Sequence, residues 1–398
     1  MRTLARLPAR GLSLALAGLT ACTAPAQPPA AASKPAAVPV EAAPAPPAAT
    51  APVMADPPRP APPRPSPLWT FIHLRNTDYV PLREVAERFG LRLAWTKPDL
   101  VLTLSDARGV RFVFDSNQRD FYFDGLRVFL GEPALLHRDG LWVSKLDLIK
   151  IVAPLYRPAE HLGQLPATAP RVIVLDPGHG GIDPGTENKR VGVNEKTFTL
   201  DVALRLKKIL ELSGWRVLLV RTDDRELSRD KKTDLLLRDE FANKNQADLF
   251  LSIHFNSAPE AITGVETYTM APQGMLSTGD ETGDEMTPVA YPANRLDFAN
   301  LLFGEQLHRA MLGALKTPDR GFKRGRRAVL RLLDCPGALV ECAYLSNDTE
   351  ARRAATPAFR QQIAEALASG VQGYAAALAA LRPAPPAAPA APAPAKLK

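Results

Sequence analysis

The 398-residue sequence lacks any apolar stretch close to the roughly 20 residues that a helix needs to cross a bilayer. It also lacks both glycine-rich phosphate-binding signatures, Gly-x-x-x-x-Gly-Lys-Ser/Thr and Gly-x-Gly-x-x-Gly. Hydrophobic residues make up 46% of the chain and charged residues 23%. These features exclude a membrane bundle, argue against a nucleotide-binding loop, and indicate ordinary globular domains.

Cysteine is scarce, with three residues at positions 22, 335 and 342. Cys335 and Cys342 flank a mostly apolar stretch, and an extended strand there would separate their Cα atoms by roughly 20 Å, well beyond disulfide reach. We therefore expect these two cysteines to be unpaired, small, buried residues.

Aromatic and β-branched residues are few in two proline-rich segments. Residues 23–67 hold 16 prolines and 15 alanines, and residues 383–398 hold six more prolines. Such a composition cannot bury enough apolar surface to offset the entropy of ordering the chain. We predict a disordered linker at 22–67 and a disordered tail at 383–398, which leaves roughly 315 residues for about two domains.

The N-terminus carries Arg2, Arg6 and Arg10 before the short apolar run from Gly11 to Leu19, a pattern typical of a secretory signal. The run ends at Leu19-Thr20-Ala21-Cys22, which resembles the bacterial lipobox. That resemblance implies a signal peptide at 1–21 and acylation of Cys22, hence an exported, periplasmic, lipid-anchored protein. Thr23 is not aspartate, which favours the outer membrane. A plain signal peptide with an unrelated cysteine is the alternative.

Residues 68–160 are predicted to form a small α+β domain. Apolar spacing at Leu82, Val85, Ala86 and Phe89 predicts a short helix that ends at Gly90, and alternating strands follow. The segment resembles the module at the N-terminus of copper amine oxidases, which bacterial envelope proteins reuse without copper. His73 and His137 are isolated, so no metal site is expected here. A role in wall binding or in positioning the second domain is a hypothesis.

Residues 170–382 alternate strands with helices, which predicts an α/β fold with a mainly parallel sheet flanked by helices. The predicted strands are Val172 to Leu175, Trp215 to Val220, Ala247 to Ile253 and Gly337 to Glu341. The predicted helices begin at Asn194 and at Leu235, and they end before Gly214 and at Asn245.

Four side chains that can bind a metal ion or transfer a proton lie at the ends of these elements. His179 and His254 follow strands, Glu195 opens a helix and Glu341 ends a strand. Because ligands bind outside the carboxyl ends of parallel strands, we expect these four residues to converge there.

Two histidines and one glutamate form a common catalytic zinc set, with an open position for water. Zinc lowers the pKa of that water to near 7, and an unligated carboxylate such as Glu341 can accept its proton. The successive separations of His179, Glu195, His254 and Glu341 are 16, 59 and 87 residues, which match no compact zinc signature. The alternative is therefore that these residues do not belong to one site.

Five motifs occur in order over about residues 171 to 381: Asp176-Pro177-Gly178-His179-Gly180-Gly181, Asn194-Glu195-Lys196, Ser252-Ile253-His254-Phe255-Asn256, Gly264-Val265-Glu266-Thr267-Tyr268 and Val340-Glu341-Cys342-Ala343-Tyr344-Leu345-Ser346-Asn347. Together they resemble the motifs of zinc-dependent N-acetylmuramoyl-L-alanine amidases. The resemblance implies that His179, Glu195 and His254 bind Zn²⁺ and that Glu341 catalyses. The reaction would be hydrolysis of the amide between N-acetylmuramic acid and L-alanine in peptidoglycan, for cell-wall remodelling or daughter-cell separation.

Two alternative functions remain open at the level of sequence. One is another zinc peptidoglycan hydrolase that cuts within the stem peptide, because zinc chemistry does not distinguish one amide from another. The other is a wall-binding scaffold without catalysis, which the presence of all four chemical residues disfavours.

Residues 271–293 form an insert that contains glycine, proline and the acidic residues Asp280, Glu281, Asp284 and Glu285. Some members of the family carry a segment here that blocks the zinc. Gly283, Pro288 and Pro292 disfavour a long helix, so we expect a flexible lip, with an inhibitory plug as the alternative.

The net charge of +7 and pI near 9.3 do not indicate a nucleic-acid partner, because the basic cluster at 323–327 lacks interleaved aromatics. Peptidoglycan is the expected partner, since positive charge concentrates acidic ligands. Asn256, Glu266, Arg326 and Arg327 are interpreted as substrate contacts, and a merely solvated basic loop is the alternative. The sequence identifies no activator protein.

Overall fold

The structure, a computed structural model, describes residues 68–138, 140–278 and 289–382. Cys22, both proline-rich segments, and Asp280, Glu281, Asp284 and Glu285 of the insert lie outside these ranges. The expectations about them therefore stay predictions.

Residues 72–156 form short antiparallel strands and a few helical turns. The helix predicted from Leu82, Val85, Ala86 and Phe89 buries these four side chains and ends at Gly90, whose φ is 68°. The elements are β1 (Ile72–Leu74), β2 (Thr77–Pro81), α1 (Leu82–Phe89), β3 (Arg92–Lys97), β4 (Val101–Asp106), β5 (Gly109–Asp115), β6 (Asp120–Phe123), β7 (Leu126–Phe129), β8 (Leu135–His137), β9 (Gly140–Ser144), α2 (Lys145–Asp147), a π-helical turn (Leu148–Val152) and α3 (Ala153–Tyr156).

Residues 172–381 alternate strands with longer helices, as the sequence predicted. Short 3-10 turns occur within this segment at Pro292–Leu296 and Ala328–Leu330, and another precedes it at Pro158–Gln164. The elements are β10 (Val172–Pro177), β11 (Glu187–Asn188), β12 (Val193–Asn194), α4 (Glu195–Leu212), β13 (Arg216–Leu219), α5 (Lys231–Lys244), β14 (Leu249–Asn256), β15 (Val265–Thr269), α6 (Asp297–Leu315), β16 (Asp319–Arg324), β17 (Gly337–Tyr344), α7 (Asp348–Ala355) and α8 (Pro357–Leu381).

The predicted α/β fold is confirmed by a large mixed sheet flanked by helices. Its strand order is β13-β10-β14-β17-β15-β16-β7-β6-β5-β4-β3. The pairs β13–β10, β10–β14 and β14–β17 are parallel, and β15 enters antiparallel to β17. The first four strands therefore end at one edge, where the loops that carry the predicted chemical residues meet.

The two faces of the parallel strands bury different sets of side chains. Leu251, Ile253 and Val340 pack with α4, α6 and α8 in one apolar layer. Phe250 and Leu339 pack on the opposite face, near α5. Since successive strand residues alternate faces, Ser252, His254 and Glu341 lie on the α5 side, and Cys342 lies in the other layer. Cys335 and Cys342 are free and buried, as expected.

The sheet continues from the second predicted domain into the first. β16 pairs with β7 at Phe322 and Val128, and one apolar cluster contains Phe112 and Val128 together with Phe298 and Phe322. Both segments thus share a sheet and a core, and the boundary near residue 160 stays a prediction from the sequence. No helix in the described ranges combines the length and apolar character required to cross a membrane.

Candidate metal centre

The loop after β10 holds His179 in an unusual backbone conformation, with φ of 62°. Two buried arginines fix this loop by binding its carbonyl oxygens. Arg221 donates to the carbonyls of Pro177 and Gly178, both at 2.9 Å, and Arg238 donates to that of His179 at 3.0 Å. The imidazole is thereby placed by a rigid turn, at a cost in backbone strain that the surrounding contacts offset.

Two glycines leave the space that the neighbouring side chains occupy. A Cβ atom on Gly178 would lie 2.3 Å from Cε1 of His254. A Cβ on Gly185, whose φ is 67°, would lie 2.6 Å from Oε2 of Glu195. The glycines at these two positions are therefore required for the close approach of His254 and Glu195.

Glu195 reaches the same point from the first turn of α4, which Asn194 caps by accepting a hydrogen bond from the Thr197 amide. Its side chain is 3% exposed. The carboxylate accepts hydrogen bonds from the amides of Thr186 and Phe255, at 2.8 and 2.9 Å. These contacts fix both carboxylate oxygens at the edge of the sheet.

His179, Glu195 and His254 form one cluster. Their ligand atoms all lie within 4.8 Å of one another, and the two imidazole rings are 5.0 Å apart and nearly perpendicular. Oε1 of Glu195 lies 3.1 Å from Nε2 of His179 and 2.9 Å from Nδ1 of His254. The three residues that the sequence singled out thus converge, and nitrogen and oxygen donors in this arrangement can hold a metal ion.

The pKa values of the three residues in the cluster are shifted in different directions. Burial opposes ionisation of His179, but Glu195 and Asp183 outweigh it and raise the pKa of His179. Burial lowers the pKa of His254, which favours its neutral form. Burial also opposes the charge on Glu195, yet its hydrogen bonds to both histidines lower its pKa. A neutral imidazole and a carboxylate are the forms that bind metal.

Asp183 is a member of the site that the sequence reasoning missed. Its Oδ2 lies 2.9 Å from Nδ1 of His179, and Lys231 forms an ion pair with the same oxygen. The contact leaves Nε2 of His179 facing Glu195. Its only sequence signal is its position four residues after His179, inside the glycine-rich turn.

Glu341 lies on β17 beside the cluster, as expected from the strand order. It is the Cα partner of His254 on β14 and of Glu266 on β15. Its Oε2 is buried and has no hydrogen-bond partner among the described residues. Burial, reinforced by Glu195 and Glu266, raises the pKa of Glu341. A carboxylate with a raised pKa and an uncommitted oxygen is suited to accept a proton.

Asn256 and Glu266, which the sequence suggested as substrate contacts, bind each other. Nδ2 of Asn256 donates to Oε1 of Glu266 at 2.9 Å, and the Tyr268 hydroxyl donates to Oε2 at 2.7 Å. Lys323 pairs with the same carboxylate. Glu266 is 3% exposed and is bound by all three of these neighbours. The interpretation of Asn256 and Glu266 as substrate contacts stays a prediction.

Arg326 and Arg327 occupy different environments. Arg326 is 2% exposed, and its guanidinium donates to the carbonyl of Pro272 at 3.3 Å, which ties down the start of the insert. Arg327 is partly exposed and lies 4.2 Å from the centre of the Tyr268 ring. The interpretation of both as substrate contacts stays a prediction, and Arg327 is the more exposed of the two.

The fold and the site together define a class of protein. A His–Glu–His cluster beside a further carboxylate, at the carboxyl edge of an α/β sheet, is typical of α/β metallohydrolases. Residues 173–373 match the family Amidase_3, described as N-acetylmuramoyl-L-alanine amidase. The chain belongs to this family.

Similar proteins come from several bacteria. An uncharacterized cell wall amidase of Bacillus anthracis is 31% identical over 206 residues, which are 51% of this chain and 35% of that protein. The N-acetylmuramoyl-L-alanine amidase AmiA of Escherichia coli is 31% identical over 227 residues, which are 51% of this chain and 76% of that protein. A solved N-acetylmuramoyl-L-alanine amidase from Clostridium difficile 630 shows 28% identity and a TM-score of 0.42, over 52% of this chain and 97% of that one. The match to the B. anthracis protein thus spans about a third of its length.

Proposed function

We propose that this protein is a zinc-dependent N-acetylmuramoyl-L-alanine amidase that hydrolyses the amide between the lactyl group of N-acetylmuramic acid and L-alanine in peptidoglycan. One observation carries the proposal: the His179–Glu195–His254 cluster lies beside Glu341 within a chain segment that matches the amidase family. Wall remodelling or cell separation is the role that this reaction would serve.

The donor set fits a zinc ion. Two imidazoles and one carboxylate are a frequent catalytic zinc set. Gly178 and Gly185 keep the space around these donors free of a Cβ atom. A bound zinc ion would polarise the amide carbonyl and lower the pKa of a water molecule.

The chain's own residues supply positioning and proton transfer. Asp183 orients the His179 ring, and the Phe255 amide orients the Glu195 carboxylate. Glu341 would accept the proton of the attacking water and deliver it to the amine of the departing L-alanine. Lys323 and Arg327 place positive charge near Glu341, which limits the rise of its pKa.

The decisive test is product analysis with the full-length protein. Purified protein, zinc and wall sacculi are incubated, and the new chain ends are identified by mass spectrometry. Free lactyl carboxyl groups paired with free L-alanine amino groups are expected. Cuts within the stem peptide would favour a different zinc hydrolase, and binding of sacculi without any cleavage would favour a scaffold.

Metal dependence needs its own control. Treatment with a chelator should abolish hydrolysis, and zinc should restore it more effectively than magnesium, because imidazole ligands suit zinc. Full activity in metal-free protein would reject the zinc part of the proposal without touching the identity of the cleaved bond.

We further propose export to the periplasm and anchoring to the outer membrane through acylated Cys22, on the basis of the N-terminal sequence alone. Mass spectrometry of the N-terminal peptide from bacterial membranes would reveal acyl chains on Cys22. A Cys22→Ala variant should leave the membrane fraction, and unchanged fractionation would contradict the anchor.

A further inference from the structure

A cleft of about 450 Å³ lies in the region of residues 68–160, among side chains that the catalytic site does not use. Trp95 of β3 and Trp142 of β9 line it, together with charged residues of α1. Its size falls in the range of small-ligand sites, roughly 300–1,000 Å³. The cleft therefore has the dimensions and the mixed lining of a binding site.

Helix α1 supplies the polar side of this cleft. One face of α1 is buried in the core, and the other presents Arg83, Glu84, Glu87 and Arg88. Arg88 donates to Oε1 of Glu84 through Nε at 2.9 Å and through Nη2 at 2.6 Å. The Thr70 amide donates to the other oxygen of Glu84 at 3.0 Å. This part of the rim is thus held in place before any ligand binds.

The two tryptophans supply the apolar side. Nε1 of Trp142 donates to the carbonyl of His137 at 3.3 Å, which fixes the plane of its ring. Trp95 is half-buried beside the core of the region. The Trp142 ring is held by this hydrogen bond and the Trp95 ring by its packing against the core, so little conformational entropy is lost when a ligand stacks on them.

We infer that this cleft binds the glycan strand of the wall, a β-linked chain of N-acetylhexosamines. Two arginines and two glutamates give the rim donors and acceptors for hydroxyl and acetamido groups without net charge. The C–H face of a pyranose ring carries slight positive charge, which matches the negative face of an indole. A stem peptide with several carboxylates would instead favour a cationic rim.

The inference rests on the proposed function for its choice of ligand. Hydrolysis of the lactyl amide leaves the glycan strand uncut, so the same strand could stay in the cleft while successive stem peptides are removed. The cleft would then raise the local concentration of substrate at the metal centre without contacting the amide that is cleaved.

The test measures binding of an N-acetylglucosamine hexamer to the full-length protein by calorimetry. Trp95→Ala and Trp142→Ala should each weaken binding about threefold to tenfold, the value of one lost stacking contact. Glu87→Ala changes an exposed rim residue, keeps both rings, and should weaken binding by a smaller factor. Tyr122→Ala, an exposed aromatic on β6, is the matched control and should bind like the wild type.

Hydrolysis of a small soluble muramoyl peptide separates the two proposals. It should be unchanged in all four variants, whereas hydrolysis of intact sacculi should fall in the tryptophan variants. Absence of hexamer binding in the wild type, equal binding by every variant, or binding of free stem peptide in this cleft would overturn the inference. Hexamer binding without hydrolysis of any substrate would leave the cleft assigned and reject the amidase proposal alone.

Discussion

At the scale of single residues, the proposed chemistry depends on side chains such as His179, whose backbone conformation is unfavourable in free energy. His179 adopts a positive φ, which non-glycine residues rarely do. Arg221 and Arg238 offset this cost through hydrogen bonds to the carbonyls of the same loop. Both arginines are almost fully buried, so a substitution at either should disturb the position of the histidine as well as the local packing.

Glu341→Gln should lower the rate of amide hydrolysis by about 10²- to 10⁴-fold, because glutamine keeps the size of the side chain but cannot accept a proton. Zinc content should stay at the wild-type value, since Glu341 is outside the proposed ligand set. The measurements are steady-state kinetics on a soluble muramoyl peptide and metal analysis of the purified protein. Glu365→Gln, on the exposed side of α8, is the control, and equal activities of the two variants would contradict the role of Glu341.

Asp183→Asn should weaken zinc binding about tenfold to a hundredfold, because it replaces the carboxylate that orients His179. Competition with a fluorescent chelator measures the affinity directly, independent of turnover. Asp223→Asn changes an aspartate whose side chain is 63% exposed and should bind zinc like the wild type. An unaltered zinc affinity in Asp183→Asn would contradict the orienting role of Asp183. Its ion pair with Lys231 would then stabilise only the loop that carries it.

At the scale of elements, α5 supports the site through a row of buried charges. Arg238 donates to Asp234 on the same helix and to Asp176 at the end of β10, at 2.8 and 2.7 Å. Asp239, also on α5, has fewer hydrogen-bond partners. The Leu332 amide donates to its Oδ2 at 3.2 Å, and its Oδ1 has no partner in the described part of the chain. Burial, with a further contribution from Asp176, raises the pKa of Asp239 to about 8, against smaller opposing effects of the Leu332 amide and of Arg331.

This raised pKa predicts a pH-dependent stability difference between wild type and Asp239→Asn. The folded state keeps a proton that the unfolded state, with a pKa of about 3.9, releases. The contribution of Asp239 to the free energy of unfolding therefore falls as pH rises from about 4 to about 8 and is constant above that. Asparagine has no proton to lose, so the variant should gain on the order of 2–5 kcal/mol relative to wild type across this window.

Urea unfolding at pH 4.5, 6, 7.5 and 9 measures this difference. The gain should be present at pH 9 and small at pH 4.5. A difference that is independent of pH would mean that Asp239 is ionised in the folded protein over the whole range.

At the scale of the whole molecule, the junction between β7 and β16 links the two segments of the chain. The Arg127 amide donates to Oδ2 of Asp319 at 3.0 Å across this junction. Gly321 has φ of 102°, and a Cβ there would lie 2.4 Å from the Phe129 ring. Because Gly321 has no side chain, the Phe129 ring can pack against its backbone where β7 and β16 pair.

Gly321→Ala should therefore lower the free energy of unfolding by about 1–3 kcal/mol, through backbone strain and displacement of Phe129. Gly313→Ala is the matched control, because no atom outside its own helix lies within 4 Å of the added Cβ, and a helical alanine should stabilise by up to about 1 kcal/mol. Thermal unfolding followed by circular dichroism measures both. The wild type should unfold in one transition because the core is shared, and separate transitions for the two segments would contradict that cooperativity.

The sequence by itself determined the local elements and the identity of the proposed ligands. Apolar spacing located α1 and α4, because a helix that packs on one side needs that period. Strand-end positions located His179, His254 and Glu341, because side chains at the carboxyl edge of a parallel sheet must converge. The five ordered motifs indicated the amidase family before any contact was known.

Only the tertiary structure decided which groups surround those residues. Asp183, Arg221, Arg238 and Lys323 act through contacts with residues up to 62 positions away in the chain, and no local period or spacing reports such pairs. The shared sheet at β7 and β16 and the tryptophan cleft beside α1 depend equally on long-range packing. Local patterns follow from the burial of one face of an element, whereas the partners of a side chain follow from how whole elements fit together.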